Sequence, residues 1–524
     1  MGVVIAIDAG TTGIRALCVD ESGLKRFISY RELTQHYPRP GWIEHDPGEI
    51  WSAVQETLSD VARDCEDAGE RVVCVGITNQ RETVVIWDRR TGKALYRAIV
   101  WQDRRTADRC DELIQHGHLP MIRSMTGLVL DPYFSATKIE WLLRPGTERE
   151  RSAEISIGAD LAIGTVDSWI LWNLTGGADG GVHATDVTNA SRTLLCDIST
   201  LKWSEELCDL FSVPITSLPA IHPSAGRFGV IAREALGKLA GLPVSGIAGD
   251  QQAALFGQAC FHPGMVKATH GTGSFVLMNI GGERPTPVEG LLTTVAWDLG
   301  SSSTQSPGSV AYALEGAAFA SGAAIQWLRD GLGIISDAHE MEPLATSVPD
   351  SDGVYIVPAF AGLGSPWWDP YARGAIVGLS RGSTGAHLAR AVVDSIAFQT
   401  RDIVEAMSAG VSQPISQLRV DGGASAIDIL LQLQADQLQV PVARAGIAET
   451  TAVGAAWLSG LAEGVWGSLE DLETLWAFDA KAQPNTASLD PALTSGAQAI
   501  RDRHYEGWIR AIDRSRGWAR PTRN

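Results

Sequence analysis

Short apolar runs separated by turn residues open the chain and predict strands. Residues 3–7, 15–20 and 24–33 read as three strands with tight turns between them, a pattern typical of an antiparallel meander. The period then changes to that of a helix. Asp46 suits the N-cap, Pro47 suits the first helical position, and apolar residues follow at helical spacing up to Val61. Strands are predicted again at 71–78 and 83–88.

The second half of the chain repeats this rhythm. A strand at 266–269 ends in Gly-Thr-Gly-Ser, residues 271–274, and a further strand follows at 275–279. Another strand, at 418–420, ends in Asp-Gly-Gly-Ala, residues 421–424. Helices are predicted over 251–258, 317–328 and 387–407, and residues 299–309 read as a loop insertion rich in Ser and Gly. We expect two related α/β domains that face each other, residues 1–252 and 253–524.

Composition narrows the class of protein. The 524 residues are 45% hydrophobic and 20% charged, with a formal net charge of −19, which is typical of a folded protein and disfavours a nucleic-acid binder. Seven scattered cysteines without a CxxC pair argue against a zinc knuckle and suit a reducing cytoplasm. Because no apolar stretch approaches about 18 residues, we expect no membrane span.

Three glycine turns at strand ends are the first candidates for chemistry. The turn from Asp8 to Gly13 combines an acid, glycines and the hydroxyls of Thr11 and Thr12, so its backbone N–H groups could bind an anion. An ordinary hairpin turn explains one such sequence equally well. None of the three fits a P-loop or a dinucleotide fingerprint. Together they indicate a split phosphate site, with Asp8 placed to hold Mg²⁺ through water.

Two longer motifs connect these turns to a known family. Residues 133–142, YFSATKIEWL, and residues 374–379, GAIVGL, look like the two signatures of the FGGY carbohydrate kinases, and the similarity runs in register from about residue 3 to 460. The resemblance implies an α/β fold of two actin-like (ribonuclease H-like) ATPase domains facing a central cleft. Within the family it is closest to the members that phosphorylate glycerol with ATP and Mg²⁺.

The resemblance also implies an acceptor site. Arg81 and Glu82 would bind glycerol hydroxyls, although by local sequence the pair could equally be a surface ion pair. Asp250 would be the general base, although a carboxylate at the start of a helix is often only a cap. The remaining residues implied to contact the polyol are Tyr133 and Gln251, with Trp101 and Phe275 as its apolar wall.

The nucleotide site implied by the resemblance is spread over both halves. The residues concerned are Thr11, Thr12, Gly13, Arg15, Thr272, Gly322, Gln326, Gly423 and Ile427. Three positions depart from the family pattern. Ala9 stands where a Gln is usual, Gly13 replaces a Ser and so lacks one hydroxyl, and Ile427 replaces an Asn near the adenine, which costs a hydrogen bond worth about 0.5–1.5 kcal/mol.

Two other functions remain open at this point. A kinase of the same fold could act on another polyol or on a ketose. An actin-like or chaperone-type ATPase without a small acceptor would bind ATP but leaves the two carbohydrate-kinase motifs unexplained. The resemblance further implies a cytoplasmic homodimer or homotetramer.

Overall fold

The computed structural model describes residues 2–144, 158, 160–300, 310–411, 414–485 and 491–520. The predicted insertion at 299–309 therefore lies almost entirely outside the described residues. The strands are β1 Gly2–Ala9, β2 Gly13–Asp20, β3 Lys25–Glu32, β4 Glu44–His45, β5 Arg71–Asn79, β6 Val84–Asp88, β7 Ala98–Ile99, β8 Leu161–Thr165, β9 Ala184–Asp186, β10 Cys196–Asp197, β11 Lys202–Trp203, β12 Ala220–His222, β13 Ala225–Val230, β14 Pro243–Gly249, β15 Met265–His270, β16 Ser274–Gly281, β17 Leu292–Asp298, β18 Val310–Ala318, β19 Tyr355–Val357, β20 Ala375–Val377, β21 Gln417–Asp421, β22 Val442–Ala445 and β23 Phe478–Ala482.

The helices alternate with these strands in both halves of the chain. They are α1 Pro47–Asp67, α2 Ala107–Gln115, α3 Leu119–Thr126, α4 Ser135–Leu143, α5 Val166–Leu174, α6 Val187–Ala190, α7 Glu205–Leu210, α8 Asp250–Gly257, α9 Gly322–Asp330, α10 Met341–Thr346, α11 Gly385–Gly410, α12 Asp428–Leu438, α13 Thr450–Ala462, α14 Leu469–Leu475 and α15 Pro491–Ser515. No helix among the described residues has the length and apolar character needed to cross a bilayer.

The first large sheet has the strand order β13-β14-β5-β1-β2-β3. Its β1, β2 and β3 form the predicted antiparallel meander, while β5 and β14 run parallel to β1. The predicted helix start is also confirmed, because the Asp46 carboxylate accepts hydrogen bonds from the backbone N–H groups of Gly48 and Glu49. The carboxyl ends of β1, β5 and β14 consequently lie at one edge of the sheet.

The second large sheet has the order β17-β18-β16-β15-β21-β22-β23. The antiparallel pair β15–β16 repeats the β1–β2 hairpin, and β21 runs parallel to β15. The helix predicted at 317–328 is present, but its predicted start is wrong. Residues 317 and 318 complete β18, where Ala317 pairs with Phe275, and the helix begins only at Gly322. Pairing with β16 overrides the helix propensity of this alanine-rich stretch.

Two helices interlock the halves of the chain. Helix α13, from the second half, packs on the first sheet and shares a hydrophobic cluster with Val4, Ala6 and Leu17. It crosses α8 where Gly257 and Gly454 lie, and a Cβ on either glycine would collide with backbone atoms of the other helix. The predicted division at residues 252 and 253 falls inside α8 and stays a prediction.

Candidate active site

Two glutamine side chains from outside the turn between β1 and β2 donate hydrogen bonds to its backbone. Gln80 Nε2 donates to the Gly10 carbonyl oxygen at 3.2 Å, and Gln35 Nε2 donates to the Thr11 carbonyl oxygen at 2.7 Å. Within the turn, the Gly10 N–H donates to the Gly13 carbonyl oxygen at 3.0 Å. The backbone therefore has one defined conformation at the strand ends, as an anion-binding loop requires.

Asp8 lies on β1 directly across from Arg15 on β2. Arg15 Nη1 is 3.4 Å from Asp8 Oδ2. Burial raises the pKa of Asp8 to about 6. Arg15 opposes that rise, and the carboxylates of Asp250 and Glu449 add to it. Burial is thus the main reason for the raised pKa of Asp8, and a bound cation would offset the cost of burying its charged form.

Arg81 is the centre of a buried polar network and not part of a surface ion pair. It follows β5 and is 2% exposed. Its Nη1 and Nη2 donate to the two oxygens of Glu315 at 2.7 and 3.0 Å, and its Nε is 3.1 Å from Asp250 Oδ1. Burial alone would lower the pKa of Arg81, but the surrounding carboxylates, led by Glu315, raise it well above its ordinary value.

Glu82 and Tyr133 join the same network. Arg192 Nε donates to Glu82 Oε1 at 2.7 Å, and Arg192 Nη2 donates to Glu315 Oε1 at 3.0 Å. Arg81 Nη2 donates to the Tyr133 hydroxyl at 3.2 Å. Burial raises the pKa of Glu82 despite the two arginines. Burial also acts to raise the pKa of Glu315, but Arg192 and Arg81 outweigh it and lower that pKa to about 2. The network balances two buried arginines against two buried glutamates.

Aromatic rings form a wall beside this network and reach the phosphate turn. The ring centroids of Trp101 lie 5.4 Å from Tyr133 and 6.3 Å from Phe275. Trp101 Nε1 donates to Thr11 Oγ1 at 2.9 Å. The structure therefore brings the predicted acceptor residues and the first phosphate turn into one continuous site.

Asp250 begins α8 immediately after β14, with its side chain 31% exposed. Its Oδ1 accepts the Gln251 backbone N–H at 2.7 Å as well as the contact from Arg81. Among the described residues, no hydrogen bond is found to Oδ2. One oxygen of the carboxylate is thus held by the protein, and the other is available to a ligand.

The Gln251 side chain is held by a buried lysine that the sequence analysis missed. Lys267 Nζ donates to Gln251 Oε1 at 2.5 Å and to Thr269 Oγ1 at 3.0 Å. Lys267 is fully buried, and burial lowers the pKa of its ammonium group to about 8. Because the lysine occupies the carbonyl oxygen of Gln251, the amide NH₂ is left to donate to a ligand.

The two turns of the second half end adjacent parallel strands. The backbone N–H groups of Ser321 and Ala323 donate to the Thr272 carbonyl oxygen at 2.9 and 3.0 Å. Gly322, at the start of α9, packs so closely that a Cβ there would lie 2.6 Å from the Gly271 carbonyl oxygen. The second predicted phosphate turn is therefore joined to the start of the helix that carries Gly322 and Gln326.

The third turn carries Gly423 and leads to Ile427, which packs against α9. Gly423 is exposed and has open space around it. Ile427 is only 7% exposed and belongs to the hydrophobic cluster that contains Ala324 and Leu328 of α9. The structure thus brings Ile427 into the same cluster as α9, while Gln326 points to an exposed surface.

Glu315 and Arg192 belong to the ion-pair network of the candidate site, and the sequence analysis missed both. Glu315 is a single charge in the otherwise apolar strand β18, and such an isolated charge is a signal for a buried partner. Its partners come from residues 81 and 192, however, so their identity depends on the tertiary fold. Arg192 lies in a polar stretch that carries no comparable signal.

Comparisons with known proteins agree over nearly the whole chain. Residues 3–257 match the N-terminal domain of the FGGY family of carbohydrate kinases, and residues 266–463 match its C-terminal domain. The chain is 51% identical over 525 residues to a glycerol kinase of Trichlorobacter lovleyi, covering 99% of this chain and 100% of the relative. It is 50% identical over 521 residues to a glycerol kinase of Dechloromonas aromatica, covering 99% and 98%.

Solved structures extend the likeness to three dimensions. A Plasmodium falciparum glycerol kinase crystallised with ADP superposes with a TM-score of 0.89 at 33% identity, covering 98% of both chains. A xylulose kinase from Lactobacillus acidophilus gives a TM-score of 0.83 at 20% identity, which speaks for the fold alone. The expected two-domain, actin-like kinase fold is thereby confirmed, and the chain belongs to the FGGY family of carbohydrate kinases.

Proposed function

We propose that the protein transfers the terminal phosphoryl group of ATP to glycerol and releases ADP and sn-glycerol 3-phosphate. Full-length relatives at about half identity carry the name glycerol kinase, which supports this substrate. The observation that carries the proposal is the Asp250 carboxylate. Arg81 and the Gln251 backbone hold its Oδ1, and its Oδ2 is available beside the polar network.

The acceptor site suits a small triol. Glu82 offers carboxylate acceptors, Tyr133 offers a hydroxyl, and the amide NH₂ of Gln251 offers donors. Trp101 and Phe275 provide the apolar surface that the carbon chain needs. Glu82, Tyr133 and Gln251 are each held by a buried cationic side chain, so glycerol would meet a preorganised set of hydrogen bonds.

In the proposed transfer, a terminal glycerol oxygen forms a bond to the γ-phosphorus while the bond from that phosphorus to the β–γ bridging oxygen breaks. The hydroxyl proton passes to Asp250 Oδ2, and the electron pair of the broken bond leaves with ADP. The N–H groups of the first turn and the Arg15 guanidinium would receive the phosphate oxygens. Exclusion of water from the cleft would protect ATP from hydrolysis.

The chemistry of Asp8 fits a magnesium ion. Its carboxylate is largely buried and lies at the end of the strand that leads into the first turn, and Mg²⁺ commonly takes one or two carboxylates while keeping several waters. Among the described residues no cluster of three potential metal ligands occurs, so the proposal assigns the remaining ligands to water and phosphate. Bound there, Mg²⁺ would neutralise charge on the phosphates.

A coupled assay of ADP release tests the proposal. Mg²⁺-ATP is supplied with glycerol, xylulose or gluconate, or without an acceptor, and Asp250→Asn serves as the inactive control. We expect strong stimulation by glycerol alone. Stimulation by xylulose without stimulation by glycerol would assign the site to a ketose instead, and hydrolysis indifferent to every acceptor would favour an ATPase.

Assembly into a homodimer or homotetramer is a separate proposal that sedimentation of the purified protein would test.

A further inference from the structure

The Tyr30 side chain lies over Gly13 on one face of the first sheet. Residues 13 and 15 of β2 lie on the same face because side chains alternate along a strand, and Tyr30 of β3 pairs with Arg15. A Cβ on Gly13 would lie 2.5 Å from Cε2 of the Tyr30 ring and 2.5 Å from the Arg31 carbonyl oxygen, and still closer to the Tyr30 hydroxyl. The phenol therefore occupies the volume that a side chain at position 13 would fill.

The hydroxyl of Tyr30 donates to a carbonyl oxygen that also accepts a second hydrogen bond. It donates to the Thr12 carbonyl oxygen at 3.3 Å, and the Leu33 N–H donates to the same oxygen at 2.9 Å. If the hydroxyl turned to another acceptor, the Thr12 carbonyl would remain hydrogen-bonded. Tyr30 is 45% exposed, so a ligand at the turn can reach it.

Arg15 connects the same phenol to the charged part of the site. Its guanidinium carbon lies 5.6 Å from the centroid of the Tyr30 ring, within the range of a cation–π contact. The Arg15 side chain is 33% exposed. The ring thus packs beside the arginine while its hydroxyl lies at the backbone of the turn.

Together, these contacts lead us to propose that Tyr30 is a phosphate-binding residue that supplies, from the neighbouring strand, the hydroxyl that Gly13 lacks. The inference rests on the proposed function, because it takes the ligand of this turn to be the phosphate chain of ATP. Other members of the family would place a serine hydroxyl at position 13, as the family resemblance implies. Here the donor reaches a phosphate oxygen from β3, and a hydroxyl–phosphate bond is charge-assisted.

Calorimetric titration of the whole protein with ATP and with adenosine, without acceptor, tests this role. Tyr30→Phe keeps the ring over Gly13 and beside Arg15 and removes only the hydroxyl. We expect about tenfold weaker binding of ATP, unchanged binding of adenosine and an unchanged unfolding midpoint. Tyr37→Phe removes the hydroxyl of a residue that is 68% exposed and serves as the matched control, with wild-type binding expected.

Two results would overturn the inference. Wild-type affinity of Tyr30→Phe for ATP would show that the hydroxyl does not serve the phosphates. Equal losses for ATP and adenosine, with a lowered unfolding midpoint, would assign Tyr30 a structural role. Because titration needs no acceptor, these outcomes are independent of the polyol assay. An intact protein that binds ATP through Tyr30 but ignores glycerol would refute only the proposed function.

Discussion

Arg81 and Glu315 form a bidentate ion pair that connects the two halves of the chain within the candidate site. Both guanidinium–carboxylate contacts are short, 2.7 and 3.0 Å, and both side chains are almost completely buried. The same guanidinium holds Asp250 through its Nε. The position of the Asp250 carboxylate, the proposed base, therefore depends on a glutamate that itself lies on a strand of the other sheet.

Replacement of Glu315 by Gln should destabilise the protein. The variant leaves the charges of Arg81 and Arg192 incompletely compensated in a buried place, and breaking a buried pair of this kind costs about 3–5 kcal/mol. Denaturant unfolding would measure the loss. Glu66→Gln is the matched control, because Glu66 pairs with Lys238 at the surface with 67% of its side chain exposed, and its unfolding midpoint should not move.

Replacement of Asp250 by Asn should leave a folded protein that binds both substrates but turns over slowly. The amide keeps an oxygen for Arg81 and the Gln251 N–H, yet it has no carboxylate to accept the proton. We expect kcat to fall by about 10²–10⁴-fold. Steady-state kinetics, with calorimetric binding of glycerol as a companion, would measure this. Near-normal turnover would remove Asp250 from the role of base.

Replacement of Lys267 by Met should weaken glycerol binding more than nucleotide binding. Without the ammonium group the Gln251 amide can rotate, so its NH₂ no longer faces the acceptor for most of the time. We expect the KM for glycerol to rise about tenfold with a smaller change in the KM for ATP. A uniform change in both constants, or a wild-type KM for glycerol, would contradict this positioning role.

Asp8 should make the stability of the ligand-free protein depend on pH. Its pKa in the folded state, about 6, lies above the ordinary value of 3.8, so its contribution is fully present below pH 3.8 and is lost as pH rises through 6. Asp8→Asn removes this titration. Relative to wild type, the variant should gain on the order of 2 kcal/mol in the free energy of unfolding between pH 4 and pH 8.

The difference in unfolding free energy between the variant and wild type reports the titration of Asp8 and not that of other buried acids. Burial also raises the pKa values of Asp167 and Asp402 to about 6, and both titrate alike in the two proteins. Chemical unfolding at several pH values would provide the difference curve. A flat curve would mean that Asp8 stays ionised throughout this range.

Structural features set by neighbouring residues could be predicted from the sequence, whereas side-chain contacts between residues far apart in the chain could not. The meander and the cap at Asp46 follow from local patterns, and the placement of Arg81, Glu82 and Asp250 in one candidate site follows from the family resemblance. Glu315 was missed because its role depends on residues more than a hundred positions away. The predicted helix start at residue 317 was wrong for a related reason, since the pairing of Ala317 with Phe275 is invisible to a local propensity.

The crossing of α8 and α13 has a consequence for biosynthesis. The apolar underside of the first sheet, around Val4 and Leu17, is covered by residues 450–462. During translation this face stays open until residue 462 has left the ribosome, although every strand of that sheet is complete by residue 249. The amino-terminal half made alone should therefore be prone to aggregation, and supplying the remainder as a separate chain should rescue it.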